Sequence, residues 1–445
     1  MSAETFLADF HHVATIGATP ANGVERQAAT AEDKQTRDWF AGFAADHGWE
    51  VRVDGIGHMF ALLEWTPGAP YVLVGSHLDS QPLGGRFDGA YGVIAGLHAA
   101  ERVDLRVAEA LQAGADAPRY NLAVVNWFNE EGGRFAPSIM GSSVFAGLMD
   151  ESRMLAVKDL AGTTVAEALQ AIGYLGADAR PEVAGYAEIH IEQGRILERE
   201  GLALGAVDYS WYTQKLDIEV LGEQSHTGAT AMADRHDALV AASKVVLLVH
   251  DVTGKFEEEA LVSSVGQQTL EPNSPIVVAR RVRLVADLRS ASPEIVHQAR
   301  ASLLEDIAAI ARDHDIRINV NDFDIRDIQH YPEDGLELTE KVAANLGLGI
   351  RRIRTMAGHD SVAMNRIVPT VMMFVPSADG VSHCEREFTT DEDMVAGLEA
   401  LTGVAWEMVN GALSGPEPVE HDAGAPASGT DISGAGAIAA GSGAR

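Results

Sequence analysis

The first 210 residues alternate apolar runs with segments of helical spacing. Short apolar runs typical of buried strands occur at YVLV (71–74) and NLAVVNWF (121–128). Around them, apolar residues recur at helical spacing in TAEDKQTRDWFAGFAADHG (30–48) and GVIAGLHAAERV (92–103). Strands interleaved with helices in this way predict an α/β sheet that carries helices on both faces.

A middle segment, residues 211–324, follows a different order of patterns. Strand, helix, strand, strand, helix and strand patterns occur in turn at KLDIEVLG (215–222), MADRHDALVAASKVVLLVH (232–250), ALVSSVGQ (260–267), IVVARRVRLVADLR (276–289), SPEIVHQARASLLEDIAAIARDH (292–314) and IRINVND (316–322). This β-α-β-β-α-β order is that of a ferredoxin-like unit. The α/β pattern resumes with a helix near Leu336 to Leu346 and the run TVMMFV (370–375), so we expect the middle segment to be an inserted α+β domain.

The expected domain boundaries follow from these patterns. The α/β domain comprises residues 1–210 and 325–412, and the inserted domain comprises residues 211–324. In the remainder, 413–445, the chain is mostly Gly, Ala, Ser and Pro and has no Phe, Trp or Tyr. Such a segment cannot bury enough apolar surface to become ordered, so we expect a disordered tail.

Composition narrows the class of protein. The chain has 445 residues, more than a single hydrophobic core usually supports. Its 33 basic and 65 acidic side chains give a formal net charge of -32, which disfavours nucleic acid and membranes as partners. The sequence has no apolar run of transmembrane length, and its N-terminus MSAETFLADFHH does not resemble a secretory signal, so we expect a cytoplasmic protein. The single cysteine, Cys384, excludes an intrachain disulfide.

Side chains that can bind a metal follow several of the apolar runs. They are His77, Asp79, Asp88, Glu130, Glu131, His190 and His383. The carboxyl ends of strands are where open α/β sheets bind ligands. Three histidines with carboxylates form a mixed nitrogen and oxygen ligand set that suits zinc, manganese, cobalt or nickel. The adjacent glutamates would repel each other unless one binds a cation and the other is ready to take a proton, which indicates metal-assisted hydrolysis.

Each of these residues also has a simpler interpretation. An aspartate after a strand is more often a helix cap or a turn residue. Glu130 and Glu131 alone would be a solvated loop, and His190 alone a hydrogen-bonded core histidine. Only their joint placement at strand ends favours a metal site over these interpretations.

These motifs, in this order around an inserted ferredoxin-like domain, resemble the metallopeptidase M20 clan along nearly the whole chain before the tail. They resemble in particular its hydantoinase/carbamoylase branch, which includes N-carbamoyl-L-amino acid amidohydrolases, β-ureidopropionases and allantoate amidohydrolases. His190, in HIEQG, is the informative residue. Aminoacylases and carboxypeptidases of the clan usually carry an acid at this ligand position, whereas the carbamoyl branch has histidine.

The resemblance implies a fold and a metal centre. The fold would be a metallopeptidase-like α/β/α catalytic domain with the inserted domain serving as lid and dimerisation domain. Two divalent ions per chain, Zn²⁺ or Mn²⁺ with Co²⁺ and Ni²⁺ as alternatives, would bind to two ligand groups that share Asp88: His77, Asp88 and His190; and Asp88, Glu131 and His383. Glu130 would be the general base. Asp79 would fix the tautomer and orientation of His77.

A second set of residues is implied as substrate contacts. It comprises Gln193, His226, Asn273 and Arg289, with a supporting role for Gly358 and His359. Arg289 offers a planar fork for a substrate carboxylate, and His226 can donate a hydrogen bond to the oxyanion. Without the resemblance, Arg289 would be a surface ion pair and His226 a helix-capping loop residue. Whether His226 would serve its own subunit or its neighbour's in a homodimer stays open.

The predicted function is cleavage of the carbamoyl C–N bond of N-carbamoyl-L-amino acids, which releases the amino acid, ammonia and carbon dioxide. Allantoate amidohydrolysis is the main alternative, followed by an aminoacylase or peptidase-like activity. A function of a different class, a non-catalytic relative that binds a carboxylate ligand, is disfavoured because a binding module needs no base beside the metals.

Overall fold

The computed structural model describes residues 3–413. They divide into two compact units, of which the first combines the chain up to Ser210 with the chain from Gln329 onward, and the second spans Trp211–Ile328. The second unit continues slightly past residue 324, where the predicted inserted domain ends. Leu413, the first residue of the predicted tail, is buried in the first core, so that prediction began one residue too early. The rest of the tail, 414–445, lies outside the described residues.

The strands of the described chain are β1 (Glu50–Val53), β2 (Met59–Leu63), β3 (Tyr71–His77), β4 (Asn121–Trp127), β5 (Val183–Ile191), β6 (Leu204–Ser210), β7 (Tyr212–Leu221), β8 (Ser225–His226), β9 (Val262–Glu271), β10 (Val277–Val278), β11 (Arg281–Ser290), β12 (Arg317–Arg326), β13 (Ile350–Thr355) and β14 (Thr370–Val375).

The helices are α1 (Ala3–Val13), α2 (Ala31–Asp46), α3 (Ala90–Gln112), α4 (Met140–Phe145), α5 (Glu151–Leu155), α6 (Val165–Ile172), α7 (Ile196–Glu200), α8 (Ala238–Asp251), α9 (Pro293–Asp313), α10 (Glu333–Leu346), α11 (Asp360–Met364) and α12 (Asp391–Val409). Threonine side chains cap several of them: Thr30, Thr164 and Thr390 accept backbone hydrogen bonds at the starts of α2, α6 and α12. None of the described helices has the length and apolarity needed to cross a membrane.

The first unit is built on a mixed sheet in the order β1-β2-β4-β3-β5-β14-β6-β13. Its central strands β4, β3, β5 and β14 run parallel, so their carboxyl ends lie at one edge. Within β3, Val72 and Val74 belong to the core that includes α3 and α12, while Leu73 belongs to a cluster on the opposite face with Trp127 and Met364. Burial on both faces explains why YVLV is continuously apolar instead of alternating.

Apart from the short strands β8 and β10, which pair with each other, the second unit has the element order β7, α8, β9, β11, α9, β12, and its antiparallel sheet has the strand order β12-β7-β11-β9. Leu216, Ile218 and Val220 of β7 contribute to its apolar core with α8 and α9. The residues between them carry charge: Asp217 and Glu219 pair with arginines of β11. This period-two pattern buries one face of the sheet and leaves the other polar.

Candidate metal centre

Loops at the carboxyl ends of the parallel strands bring the predicted metal ligands together. His77 is the last residue of β3, Glu130 and Glu131 follow β4, His190 lies near the end of β5, and His383 follows β14. Because these strands are parallel neighbours, their ends meet at one edge of the sheet.

A first ligand group consists of His77, Asp88 and His190, all of which are buried. The Nε2 atoms of the two histidines lie 3.5 and 3.1 Å from Oδ1 of Asp88. Both histidines also form hydrogen bonds that set their tautomers. Nδ1 of His77 contacts the main-chain oxygen of Asp79 at 2.9 Å, and Nδ1 of His190 contacts that of Ile191 at 3.0 Å. A carbonyl oxygen only accepts, so Nδ1 of each ring carries a proton and Nε2 is the atom that could bind a cation. For His190 the cation would replace the hydrogen bond that Nε2 accepts from the Gly89 N–H.

Asp79 acts through different atoms than expected. Its main-chain oxygen, not its carboxylate, orients His77, since the carboxylate lies 3.8 Å from Nδ1. The carboxylate instead accepts hydrogen bonds from the main-chain N–H groups of Glu130 and Glu131, at 3.2 and 3.3 Å. Burial, together with the nearby charge of Asp33, raises the pKa of Asp79 to about 7. Its side chain therefore positions the loop that carries the two glutamates.

A second ligand group consists of Asp88, Glu131 and His383. Nε2 of His383 lies 3.2 Å from Oε2 of Glu131 and 3.5 Å from Oδ2 of Asp88. Glu131 is held by Gln81, whose main-chain N–H and side-chain amide donate to its two carboxylate oxygens at 3.1 and 3.0 Å. His383 differs from the other ligands because its side chain is 49% exposed and its φ is positive, at 55°.

Asp88 presents one oxygen to each group, because Oδ1 faces His77 and His190 while Oδ2 faces His383. Burial opposes its ionisation, but the three histidines outweigh that effect and hold the pKa of Asp88 well below its usual value. A carboxylate so placed fits the bridging ligand of a two-metal site.

The charges around Asp88 also fit divalent cations. Glu130 and Glu131 are buried, and Oε2 of Glu130 lies 3.5 Å from Nε2 of His77. Burial raises the pKa of both glutamates well above the usual range, and the neighbouring carboxylates raise it further, first Asp360 for Glu130 and Asp88 for Glu131. Cations between these groups would relieve this repulsion, so the donor set and its charge fit two metal ions.

Gly89 makes this close approach sterically feasible. Its φ is +64°, and a Cβ atom there would lie 2.2 Å from Cε1 of His77. Its main-chain N–H lies 3.0 Å from Nε2 of His190. The glycine between Asp88 and α3 therefore lets the backbone pass directly beside both buried histidines.

Three of the predicted substrate contacts belong to the first unit. The side-chain amide of Gln193 donates to Oδ2 of Asp88 at 2.6 Å, so this residue joins the ligand cluster. His359 is buried and packs edge-to-face on His190, with ring centroids 4.6 Å apart. Among the described residues its Nε2 has no hydrogen-bond partner. Gly358 precedes it in the loop before α11.

The other predicted contacts belong to the second unit. His226 is exposed, and its Nδ1 accepts from the N–H groups of Gly228 and Ala229 at 2.9 and 3.1 Å, so the ring proton is on Nε2. Asn273 is exposed after β9. Arg289 is already engaged, since Nε and Nη2 donate to Asp287 at 3.0 and 2.6 Å. The expected open fork is thus an ion pair within one strand.

Sequence reasoning missed several residues that support the ligands. Gln81 holds Glu131, and Glu188 of β5 accepts hydrogen bonds from Ser76 and the Ser361 N–H at 2.7 and 2.8 Å. Glu387, in SHCERE, accepts from the N–H groups of Phe87 and Asp88. Burial and the charge of Asp88 raise the pKa of Glu387 to about 7. The sequence offered a signal for two of these residues. Glu188 is an acid within an apolar strand, and Glu387 lies close to His383 in the sequence.

Comparison with known proteins identifies the family of the chain. A family model described as Peptidase family M20/M25/M40 matches residues 73–407. The chain belongs to this family. A Mycolicibacterium smegmatis protein named as a hydrolase, without a substrate, is 48% identical over 92% of this chain and 93% of its own length. The N-carbamoyl-L-amino acid amidohydrolase of Geobacillus stearothermophilus is 32% identical over 89% of this chain and 96% of its own length.

Further matches define the branch of the M20 family. The allantoate amidohydrolase of Bacillus subtilis is 29% identical over 92% of this chain and 98% of its own length. A crystal structure of a hydantoinase/carbamoylase family amidase from Burkholderia vietnamiensis is similar with a TM-score of 0.85 and 34% identity, covering 93% of this chain and 98% of that one. This M20 member is therefore a hydrolase of the hydantoinase/carbamoylase family, with the mixed α/β fold of that family.

Proposed function

We propose that the protein is a dinuclear-metal amidohydrolase that cleaves the carbamoyl C–N bond of N-carbamoyl-L-amino acids. The observation that carries this proposal is Asp88, which offers one carboxylate oxygen to each of two ligand groups. The buried Glu130 lies beside the first group, at 3.5 Å from His77. A two-metal hydrolase needs this combination of a shared carboxylate and a separate base.

Two divalent ions held by these ligands would polarise the ureido carbonyl and acidify a water molecule. Glu130 takes the proton from the attacking water and passes it to the departing nitrogen. Ammonia leaves as the C–N bond breaks, and the remaining carbamate loses carbon dioxide to give the amino acid.

Substrate contacts are proposed for the second unit. His226 carries its proton on Nε2, since Nδ1 accepts two main-chain hydrogen bonds, and is therefore a hydrogen-bond donor for the oxyanion. Arg289 binds the substrate carboxylate, for which Asp287 must share or release the guanidinium. Asn273 is the third proposed contact of the second unit, and the first unit contributes Gln193, with Gly358 and His359 in support.

We also propose that the second unit is the ferredoxin-like lid and dimerisation domain. Its β-α-β-β-α-β order and its β12-β7-β11-β9 sheet support a ferredoxin-like domain. Exposed apolar residues on α8, including Val240 and Leu247, support a role in dimerisation. Analytical ultracentrifugation tests the proposed dimerisation. The wild type should be a homodimer, and a Leu247→Glu variant should shift towards monomer.

Allantoate is the alternative substrate, because an allantoate amidohydrolase is among the relatives and allantoate also carries ureido groups and a carboxylate. The deciding experiment is ammonia release by protein stripped of metal and reloaded with Mn²⁺, Zn²⁺, Co²⁺ or Ni²⁺. N-carbamoyl-L-amino acids and allantoate are assayed side by side, and N-acetyl amino acids are assayed in parallel for release of the free amino acid, because their hydrolysis gives acetate and no ammonia. We expect metal-dependent release from carbamoyl amino acids. Release from allantoate alone would select the alternative, and no turnover with bound metal would favour a binding function.

A further inference from the structure

Glu387 connects two ligand loops that are far apart in sequence. It is 4% exposed, and its Oε1 accepts hydrogen bonds from the N–H groups of Phe87 and Asp88 at 3.0 and 3.1 Å. Its Oε2 lies 2.9 Å from the hydroxyl of Ser382, which also lies 2.7 Å from Oδ2 of Asp88. One carboxylate thereby fixes the backbone that carries the shared ligand and the residue that precedes His383.

The surrounding backbone accommodates this carboxylate. A Cβ atom on Gly85 would lie 1.9 Å from Oε1 of Glu387, so a side chain there would expel it. The neighbouring Glu385 points elsewhere and accepts a hydrogen bond from Thr19. The contact is therefore specific to Glu387 and is not a general property of the acidic segment that follows His383.

Both ligand groups share Asp88, whose main-chain N–H donates to Glu387, but only the second group also depends on Glu387 for the loop that carries its histidine. His77 and His190 lie on central strands, are buried, and have their rings fixed by main-chain oxygens. His383 is half exposed on a loop. Its position relative to Asp88 thus depends on what holds that loop, and the hydrogen bonds through Glu387 and Ser382 do so.

We propose that Glu387 is a positioning residue that sets the metal affinity of the Asp88–Glu131–His383 position and leaves that of the His77–Asp88–His190 position nearly unchanged. This inference rests on the dinuclear centre of the proposed function. Residues that orient metal ligands commonly change metal affinity by about 10- to 100-fold.

The test is calorimetric titration of metal-free protein with Mn²⁺ and with Zn²⁺. His190→Ala and His383→Ala serve as references that assign each binding step to one position. In Glu387→Ala we expect the step lost in His383→Ala to weaken at least ~10-fold, and the other step to change by less than ~3-fold. Glu387→Gln should restore most of the affinity, because its amide oxygen still accepts from the backbone and its amide nitrogen donates to Ser382.

Matched variants separate this role from a structural one. Glu385→Ala, in the same segment, should titrate like the wild type. Ser382→Ala, which removes only the hydroxyl, should weaken the same step and decides the question if Glu387→Ala does not fold. Equal weakening of both steps, or no change in either, would overturn the positioning role while leaving the two-metal centre intact. A wild type that takes up a single ion would overturn both.

Discussion

At the scale of single residues, the site depends on which atom of each side chain is free. His77 and His190 use Nδ1 for main-chain oxygens, which leaves Nε2 directed at Asp88. Glu130 lies next to these groups without belonging to either ligand group. This separation of binding from proton transfer leads to the first prediction.

Glu130→Gln should bind two metal ions and lose turnover. The amide keeps the shape of the side chain but cannot accept the proton from the attacking water, so kcat should fall by roughly 10²- to 10⁴-fold. Elemental mass spectrometry measures the metal content, and ammonia release measures the turnover. Glu167→Gln, in the capping box of α6, is a control that should remain active. Near-normal turnover in Glu130→Gln would remove it as the base.

Gly89→Ala should destabilise the first unit and disturb the first ligand group. A left-handed φ of +64° strains any Cβ, and this Cβ would also meet the His77 ring, so the cost should exceed about 1 kcal/mol. Gly48→Ala is the matched control, because its φ is +73° and an added Cβ meets no atom within 4 Å. Urea unfolding measures both, and equal losses would show that the contact with His77 is unimportant.

At the scale of elements, much of the site could be predicted from strand ends. The run YVLV followed by His77 identified a buried strand whose end carries a ligand. The sequence could not show that the main chain of Asp79 holds His77 while its carboxylate holds the next loop, because both arrangements need the same residue. Nor could it show the contact of Glu387 with Phe87, because these residues are 300 positions apart in the sequence.

The ion pair between Arg289 and Asp287 was not anticipated, although the sequence contains a signal for it. Residues two apart in a strand share a face, so Asp287 lies beside Arg289 on β11, and the two pair at 2.6 Å. The local partner competes with any carboxylate ligand. Pairing within ADLR could therefore have been expected from the period of the strand alone.

Asp79→Asn tests whether the Asp79 carboxylate holds the Glu130–Glu131 loop, as its hydrogen bonds indicate, or orients His77, as the sequence predicted. The side chain would lose one of its two hydrogen bonds to the Glu130–Glu131 loop, at a cost of roughly 1 to 3 kcal/mol. The main-chain oxygen that orients His77 would remain. We expect lower turnover and a weaker Asp88–Glu131–His383 position, measured by metal titration. Selective loss at the His77–Asp88–His190 position would instead support the original tautomer role.

At the scale of the whole molecule, the ligands identified from the described residues all lie in the first unit. Metal binding should therefore stabilise that unit selectively. The net charge of -32 favours cation uptake and disfavours nucleic acid.

Removal of metal should lower the stability of the first unit by about 3 kcal/mol for each bound ion, and so by about 5 kcal/mol for two, when the starting metal concentration is 100 times Kd at both positions. Hydrogen exchange followed by mass spectrometry should show faster exchange in β3, β4 and β5. The sheet of the second unit should be unchanged. An equal loss of protection in both units would contradict this assignment.

The most direct test of the two-metal centre is the number of ions bound per chain in four proteins. The wild type should bind two, His190→Ala and His383→Ala should each bind one, and Asp88→Ala should bind none, because Asp88 serves both positions. Circular dichroism confirms that each variant is folded. One ion in the wild type, or an ion retained by Asp88→Ala at unchanged affinity, would contradict the shared-carboxylate centre on which the proposed hydrolysis depends.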